Sequence, residues 1–427
     1  MNIKNYTVLQ QEDIKEVNGT AYLLEHNKTK ARVLYVKNDD KNKVFYIGFR
    51  TPPKNDTGVA HITEHSVLCG SKKFPAKDPF VELAKGSLNT FLNAMTYPDK
   101  TVYPIASVND KDYHNLMEVY LDAVFYPNTY NNEKIMRQEG WHYHLEHEDD
   151  ELTYNGVVYN EMKGAYSSPE QMLMQEIQKS LLPDTTYGCD SGGDPKSIPE
   201  LSYEEFLDFH RKYYHPSNSY IYLYGDVDIE KELAFIDEEY LSGYEYLSVD
   251  SEIKEQPSFD EVKDVTVNYP MSDEEDEADN TYLSYNVIVG NSLDRTLDLA
   301  FTILDYALID VPGAPVKKAL VDAGISSDVF SSYEESIKQP IYSVIAKGCN
   351  SNRHDDFVRI IKDTLSDIVD KGFDEKVLRG AINHFEFKLK EASYGRYPKG
   401  LMYGLNVFNS WLYDDNSPFT YLKYDDS

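Results

Sequence analysis

His61-Ile62-Thr63-Glu64-His65 is the stretch on which the reading of this chain turns. In a helix, residues three and four apart share a face, so His61, Glu64 and His65 project together. Two imidazoles one turn apart can grip a zinc ion, and a carboxylate beside them can take a proton from a zinc-bound water. The order is H-x-x-E-H, the reverse of the commoner H-E-x-x-H. Asp56 and Thr57 are expected to cap the helix and Gly70 to end it, which predicts a span over 58–69. The pentapeptide alone leaves a second reading open, a surface turn of helix with solvated charge, because the chain holds 11 His and 73 acidic residues. A catalytic zinc takes three protein ligands and keeps one position open, so a further ligand must come from elsewhere.

Outward from the motif, Thr20–Glu25, Arg32–Lys37 and Val44–Arg50 read as strands broken by polar turns. Lys77-Asp78-Pro79-Phe80 opens a second helix, with Asp78 at its cap and Pro79 in its first turn. Phe91–Met95 and Thr101–Ser107 read as strands around a turn at Tyr97-Pro98-Asp99-Lys100. Asp110–Phe125 is an amphipathic helix with Leu116, Val119, Tyr120, Ala123 and Val124 on one side. Further helices are expected from near Asn132 and over 156–166, 169–182 and 202–214, followed by a buried strand at Tyr220–Tyr224.

The second part repeats this order. Tyr282–Val289 is a strand, Leu293–Leu308 and Ala314–Ala323 are helices, Ile325–Tyr333 and Pro340–Lys347 are strands, and two long helices follow over 353–371 and 374–393. The expected fold class is α+β: two homologous units, each a largely antiparallel sheet with helices packed on one face. The boundary falls between 240 and 265, dividing the chain into residues 1–250, which hold the motif, and 251–427. In the second unit an apolar helix with Ala300-Phe301-Thr302-Ile303-Leu304 stands where the first has its motif, so this unit is expected to be non-catalytic. The acidic run from Ser272 to Asp279 repels itself and reads as a solvated loop.

Composition narrows the partners. A length of 427 residues exceeds one ordinary core. Tyr is unusually frequent at 36, and the net charge of −31 argues against nucleic acid or an anionic membrane surface. No run of about 18 apolar residues occurs, so no membrane span is expected. Three widely spaced cysteines, Cys69, Cys189 and Cys349, suggest neither a disulfide framework nor a thiolate metal site. The start lacks the apolar stretch of a signal peptide, and a cytoplasmic location is expected unless a leader has been removed. Cys69 is read as packing, and His142, His144 and His147 as a solvated cluster rather than a second metal site.

For the third ligand, Asn155-Gly156-Val157-Val158-Tyr159-Asn160-Glu161-Met162-Lys163-Gly164 is the best source. Asn155 can cap a helix, and Val157, Val158 and Met162 would bury part of it with Glu161 at its middle. A carboxylate there needs a partner. A metal ion is one; Lys163 or a nearby His is another.

Gly58-Val59-Ala60-His61-Ile62-Thr63-Glu64-His65-Ser66-Val67-Leu68-Cys69-Gly70-Ser71 and Lys77-Asp78-Pro79-Phe80 resemble the pitrilysin/insulysin (M16) family of metallopeptidases, and within it the presequence-protease branch. Further matching segments are Ser87 to Thr101, Asn160-Glu161-Met162-Lys163-Gly164 and Leu223-Tyr224-Gly225-Asp226. The resemblance implies a zinc endopeptidase for unstructured peptides with one Zn2+ per chain. In it His61, His65 and Glu161 are the metal ligands and Glu64 is the general base. It also implies that Leu92, Asn93, Ala94, Met95 and Thr96 form an edge strand to which a peptide adds, with Asn93 and Ala94 beside the scissile bond. On its own, Asn93 reads as a turn or strand-end residue. Members of this branch carry four related units, so the chain is expected to be the N-terminal half of such an enzyme. Its partners would be peptide substrates and the C-terminal half, and the Arg and Tyr that assist catalysis have no counterpart here. Two other readings are a non-catalytic scaffold of the same fold and a two-domain processing peptidase acting as a dimer.

Overall fold

The computed structural model describes residues 3–77, 79–272, 277–416 and 418–424. Asp78, expected as a cap, and residues 273–276 of the acidic run lie outside them.

The strands are β1 (Tyr6–Ile14), β2 (Gly19–His26), β3 (Arg32–Lys37) and β4 (Lys43–Arg50), followed by helices α1 (Val59–Val67) and α2 (Pro79–Gly86). Then come β5 (Asn89–Leu92), β6 (Met95–Thr96), β7 (Lys100–Ser107), α3 (Asp110–Phe125), α4 (Glu133–Glu139), β8 (His142–His144) and β9 (Thr153–Asn155). Helices α5 (Val157–Ala165), α6 (Pro169–Leu181) and α7 (Tyr203–Tyr213) lead to β10 (Ser219–Gly225) and α8 (Ile229–Ile236). The remainder is β11 (Thr281–Ile288), α9 (Arg295–Asp305), α10 (Pro315–Asp322), β12 (Asp328–Glu334), β13 (Ile341–Cys349), α11 (His354–Lys371), α12 (Glu375–Glu391) and α13 (Lys399–Trp411). The α+β class and the repeated strand–helix–helix–strand–strand–helix–helix order hold.

The first compact unit contains an eight-stranded sheet ordered β1-β2-β3-β10-β4-β7-β5, with β6 also on β7. Only the β10–β3 pairing is parallel; the other pairings are antiparallel. Strand β10 is buried at every position. Alternation sends its residues to two cores. Ile221 and Leu223 join the core with α1, α3 and α7, whereas Tyr220, Tyr222 and Tyr224 join Phe408, Trp411 and Leu412 on the opposite face. Helix α13 thus covers the side of the sheet away from the motif.

That helix corrects the expected domain boundary. The first unit runs to Met172, continues over Leu182–Lys254 and regains Tyr394–Lys423; the second takes Leu173–Leu181 and Glu255–Ser393. One division falls after Lys254, and residues 394–423 group with the first unit rather than the second, because the sheet's back face needs an apolar cover. Gly400 and Gly404 permit the close approach. A Cβ would lie 2.1 Å from the Tyr224 ring at the first and 2.6 Å from the Tyr222 ring at the second. Several of the abundant tyrosines find their reason here, burying the ring while the hydroxyl reaches a partner. Tyr46 donates to the Gly404 carbonyl (2.9 Å) and Tyr222 to that of Gly400 (2.9 Å).

The second unit holds a three-stranded antiparallel sheet, β11-β13-β12. Its stretch Arg295–Asp322 has the mean hydropathy (1.4) of a membrane-crossing helix. The chain is extended at Val311, however (ψ 147°). The helical run before that break, Arg295 to Asp310, measures about 24 Å at 1.5 Å per residue, short of the roughly 30 Å of a bilayer core.

One buried imidazole makes the first unit acid-sensitive. On α7, His210 donates from Nε2 to the Val124 carbonyl (2.8 Å) and accepts at Nδ1 from the Tyr130 hydroxyl (2.7 Å). Burial pushes its pKa down from 6.5 to about 4. The unfolded chain therefore takes up a proton below pH 6.5 that the folded chain refuses. Stability should be full above that pH and decline towards pH 4, by about 3 kcal/mol at the low end. Urea midpoints of wild type and His210→Gln between pH 7.5 and 4.5 test this; the variant should show the smaller decline.

Candidate metal centre

Helix α1 begins at Gly58, whose φ of +68° suits glycine. A Cβ there would lie 2.6 Å from the Gly192 carbonyl oxygen, so the glycine lets the 192–193 loop rest on the helix start. Asp56 and Thr57, expected as caps, do other work. The Asp56 carboxylate accepts from the Asp190 amide (2.7 Å) and its carbonyl from that of Asp194 (2.8 Å), while Thr57 donates to Asn55 (2.7 Å). Asp56 thereby ties the loop to α1.

The loop orients the first imidazole. His61 Nδ1 meets the Gly192 carbonyl at 3.2 Å, which makes Nδ1 the donor and leaves Nε2 with its lone pair. His65 is held in the same manner by Glu139 from α4, with Nδ1 3.4 Å from Oε2. Both Nε2 atoms face Glu161 Oε2, at 3.7 Å from His61 and 3.8 Å from His65. Among the described residues this trio is the one group of His, Cys, Asp and Glu whose donor atoms converge, all within 4.8 Å.

Glu161 sits on α5, anchored by buried Val158 and Met162. Three details differ from expectation. Val157 is exposed, the helix starts at Gly156 without a side-chain cap, and Asn155 accepts from the Gly156 amide (2.7 Å). Glu161 itself is 55% exposed, so convergence on the imidazoles, not burial, singles it out.

Glu64 is buried, and its Oε2 accepts from Thr96 Oγ1 at 2.7 Å. Burial first and the Glu64 charge second hold the Tyr120 hydroxyl protonated well above its ordinary range. Strands β5 and β6 lie along the sheet edge on β7. Between them Asn93 donates its amide to the Pro104 carbonyl (3.3 Å) and accepts at its own carbonyl from Tyr120 (3.2 Å). Leu92 ends β5 and Met95–Thr96 form β6, whereas Asn93 and Ala94, expected within one edge strand, lie between the two outside either; Thr96 reaches Glu64. His142 and His144 lie on β8, away from the convergent group. Cys69 lies just past α1, its thiol 3.5 Å from the His65 carbonyl.

Burial opposes protonation of His65, but Glu139, Glu64 and Glu161 outweigh it and raise the pKa of the metal-free protein. Burial likewise opposes ionisation of Glu139, and hydrogen bonds from His65, Gln138 and Cys69 reverse it, leaving the carboxyl below its usual range. Sequence reasoning did not find Glu139, the Gly192 carbonyl or the Thr96–Glu64 contact. The available signal was general: a ligating histidine needs a partner for its second nitrogen.

Two family models match the chain: "Insulinase (Peptidase family M16)" over residues 44–174 and "Peptidase M16 inactive domain" over 200–385. The chain belongs to the M16 peptidase family. It is 54% identical to protein HypA of Clostridium perfringens, over 98% of this chain and 43% of that protein. It is 44% identical to presequence protease 1, chloroplastic/mitochondrial, of Arabidopsis thaliana, over 97% of this chain and 39% of that protein. This M16 chain therefore spans less than half the length of these relatives. The crystal structure of pitrilysin shares the fold, with a TM-score of 0.65 at 15% identity over 95% of this chain and 42% of that one. The "inactive domain" match begins within the first unit and takes in residues 255–385 of the second, where α9 carries none of the three ligands.

The trio suits zinc. Donors about 2.1 Å from a tetrahedral zinc lie roughly 3.4 Å apart, a few tenths of an ångström less than the two distances from Glu161 to the imidazoles. Two neutral imidazoles and one carboxylate form a common catalytic zinc set, and both imidazoles already have their second nitrogen bound. Glu139→Gln, which keeps the shape and removes the charge on His65, should weaken zinc binding about 10- to 100-fold. Competition with a chromophoric chelator measures this.

Proposed function

We propose that this M16 chain is the metal-bearing part of a zinc-dependent endopeptidase that cleaves unstructured peptides. The observation that carries the reading is the convergence of His61 Nε2, His65 Nε2 and Glu161 Oε2 one side chain away from buried Glu64. A zinc ion held there would acidify a water and polarise the scissile carbonyl. Glu64 would serve as the general base, taking a proton from the attacking water and returning it to the leaving amine. Thr96 holds one oxygen of Glu64, which leaves the other to work. A peptide in extended form pairs with the edge at Leu92 to Thr96, a mode that reads backbone and makes little demand on side chains.

The Arg and Tyr donors implied by the resemblance are assigned in this proposal to a C-terminal half of the same enzyme. The coverage of 43% and 39% of the relatives supports that assignment. Cys69, Cys189 and Cys349 are not joined in disulfides, which suits a reducing compartment, and a cytoplasmic location is proposed on that basis. The net charge of −31 supports peptides rather than nucleic acid or anionic lipid as partners.

The test is metal analysis of the purified chain, followed by cleavage of an unstructured fluorogenic peptide with and without the other half. One zinc per chain and slow cleavage that rises sharply on adding the partner half are expected. Absence of zinc would refute the metal reading, and full activity of the chain alone would refute the division of labour.

A further inference from the structure

The turn between β6 and β7 holds a buried carboxylate that the reaction above does not use. Asp99 is wholly buried, and three segments of the first unit meet on it. Its Oδ2 accepts from the Tyr187 hydroxyl (2.6 Å) and from the Tyr413 hydroxyl, while Oδ1 lies 3.3 Å from Lys100 Nζ. Its carbonyl accepts from the Thr51 amide (2.8 Å), and the two tyrosine hydroxyls are 3.3 Å apart. A buried charge kept with this many donors fixes the geometry around it, because releasing any donor leaves the charge undersatisfied.

Each of these segments leads to the candidate centre. Three residues before Asp99 in the same turn is Thr96, the donor to Glu64. Five residues after Tyr187 is Gly192, whose carbonyl orients His61. Just before Tyr187, Thr186 donates to the Pro53 carbonyl (2.9 Å), and between Tyr187 and Gly192 Asp190 binds the Asp56 segment, so movement at Tyr187 is passed towards the start of α1. Tyr413 follows α13, the helix on the far face of the sheet.

We propose that Asp99 is a positioning residue which, with Tyr187 and Tyr413, locks the peptide-binding edge and the His61 loop in register, so that the docked C-terminal segment helps to hold the site's shape. This rests on the peptidase reading for its purpose, but not for its geometry. Tyr413 reaches the site through Asp99 and Tyr187, and neither Asp99 nor Tyr413 is one of the three convergent donors.

The test compares Tyr413→Phe with Tyr46→Phe. Tyr46 is also a buried tyrosine whose hydroxyl serves α13, at Gly404, and it has no bond to Asp99. Loss of either hydroxyl is a comparable perturbation. Hydrogen exchange of residues 93–98 and 186–193 and zinc affinity are measured for both variants and wild type. In Tyr413→Phe, exchange of both segments should rise about tenfold and zinc affinity fall severalfold, while Tyr46→Phe leaves both near wild type. Asp99→Asn should exceed Tyr413→Phe in the same direction; where Asp99→Asn does not fold, the tyrosine pair still decides. Equal exchange in the two tyrosine variants would overturn the proposal. Wild type that binds no zinc would overturn the peptidase reading instead, and the exchange comparison would still decide the clamp.

Discussion

Glu64→Gln is expected to lower peptide turnover about 10²- to 10⁴-fold while zinc stays at one per chain. The amide has the shape of the carboxylate, and its oxygen can still accept from Thr96, so the buried position remains filled and bonded. What is lost is the base. Glu64 is not one of the three convergent donors, so metal affinity should change little. Single-turnover cleavage and metal analysis on the same preparation separate the two effects. Turnover within threefold of wild type would remove Glu64 from the mechanism.

Glu161→Ala should act in the opposite way, by emptying the site. Structural zinc in small proteins is worth roughly 10–16 kcal/mol over its full ligand set, so one ligand of three contributes about 3–5 kcal/mol, a loss of about 10²- to 10⁴-fold in affinity. The side chain is 55% exposed, so the melting temperature of the metal-free protein should hardly move. His65→Ala is a useful contrast. It removes a ligand and also strips the nearly buried Glu139 of its imidazole, so it should cost metal-free stability that Glu161→Ala does not. Chelator titration and calorimetry of both variants without metal provide the comparison.

Much of the architecture could be read from local pattern. The apolar spacing of Asp110–Phe125 matched α3, and Arg32–Lys37 matched β3. The short strands β8 and β9, helix α8, strand β1 and helix α13 were not expected, and for the last two the reason is identifiable. Strand β1, Tyr6–Ile14, lies at the sheet edge with mostly exposed or half-buried residues, so its alternation is faint. Helix α13 contains Gly400 and Gly404, which lower intrinsic helicity. Its helix forms because those glycines fit against tyrosines of β4 and β10, an advantage visible only once the sheet exists. The caps expected at Asp56, Thr57 and Asn155 failed because each had a competing partner: Asp56 in the 190–194 loop, Thr57 in nearby Asn55 and Asn155 in the adjacent Gly156 amide.

By itself the amino-acid order determined that His61, Glu64 and His65 share a helical face, since 3.6 residues per turn is a property of the backbone. It determined nothing of where that face would look. Packing of α1, α4, α5 and the 186–193 loop decided that Glu139 and Gly192 take the Nδ1 atoms and that Glu161 meets the Nε2 atoms. The same packing returned residues 394–423 to the first unit and set Tyr413 against Asp99. Such contacts join positions tens to hundreds of residues apart, and their distances follow from how side chains fill a common core, which no local periodicity encodes.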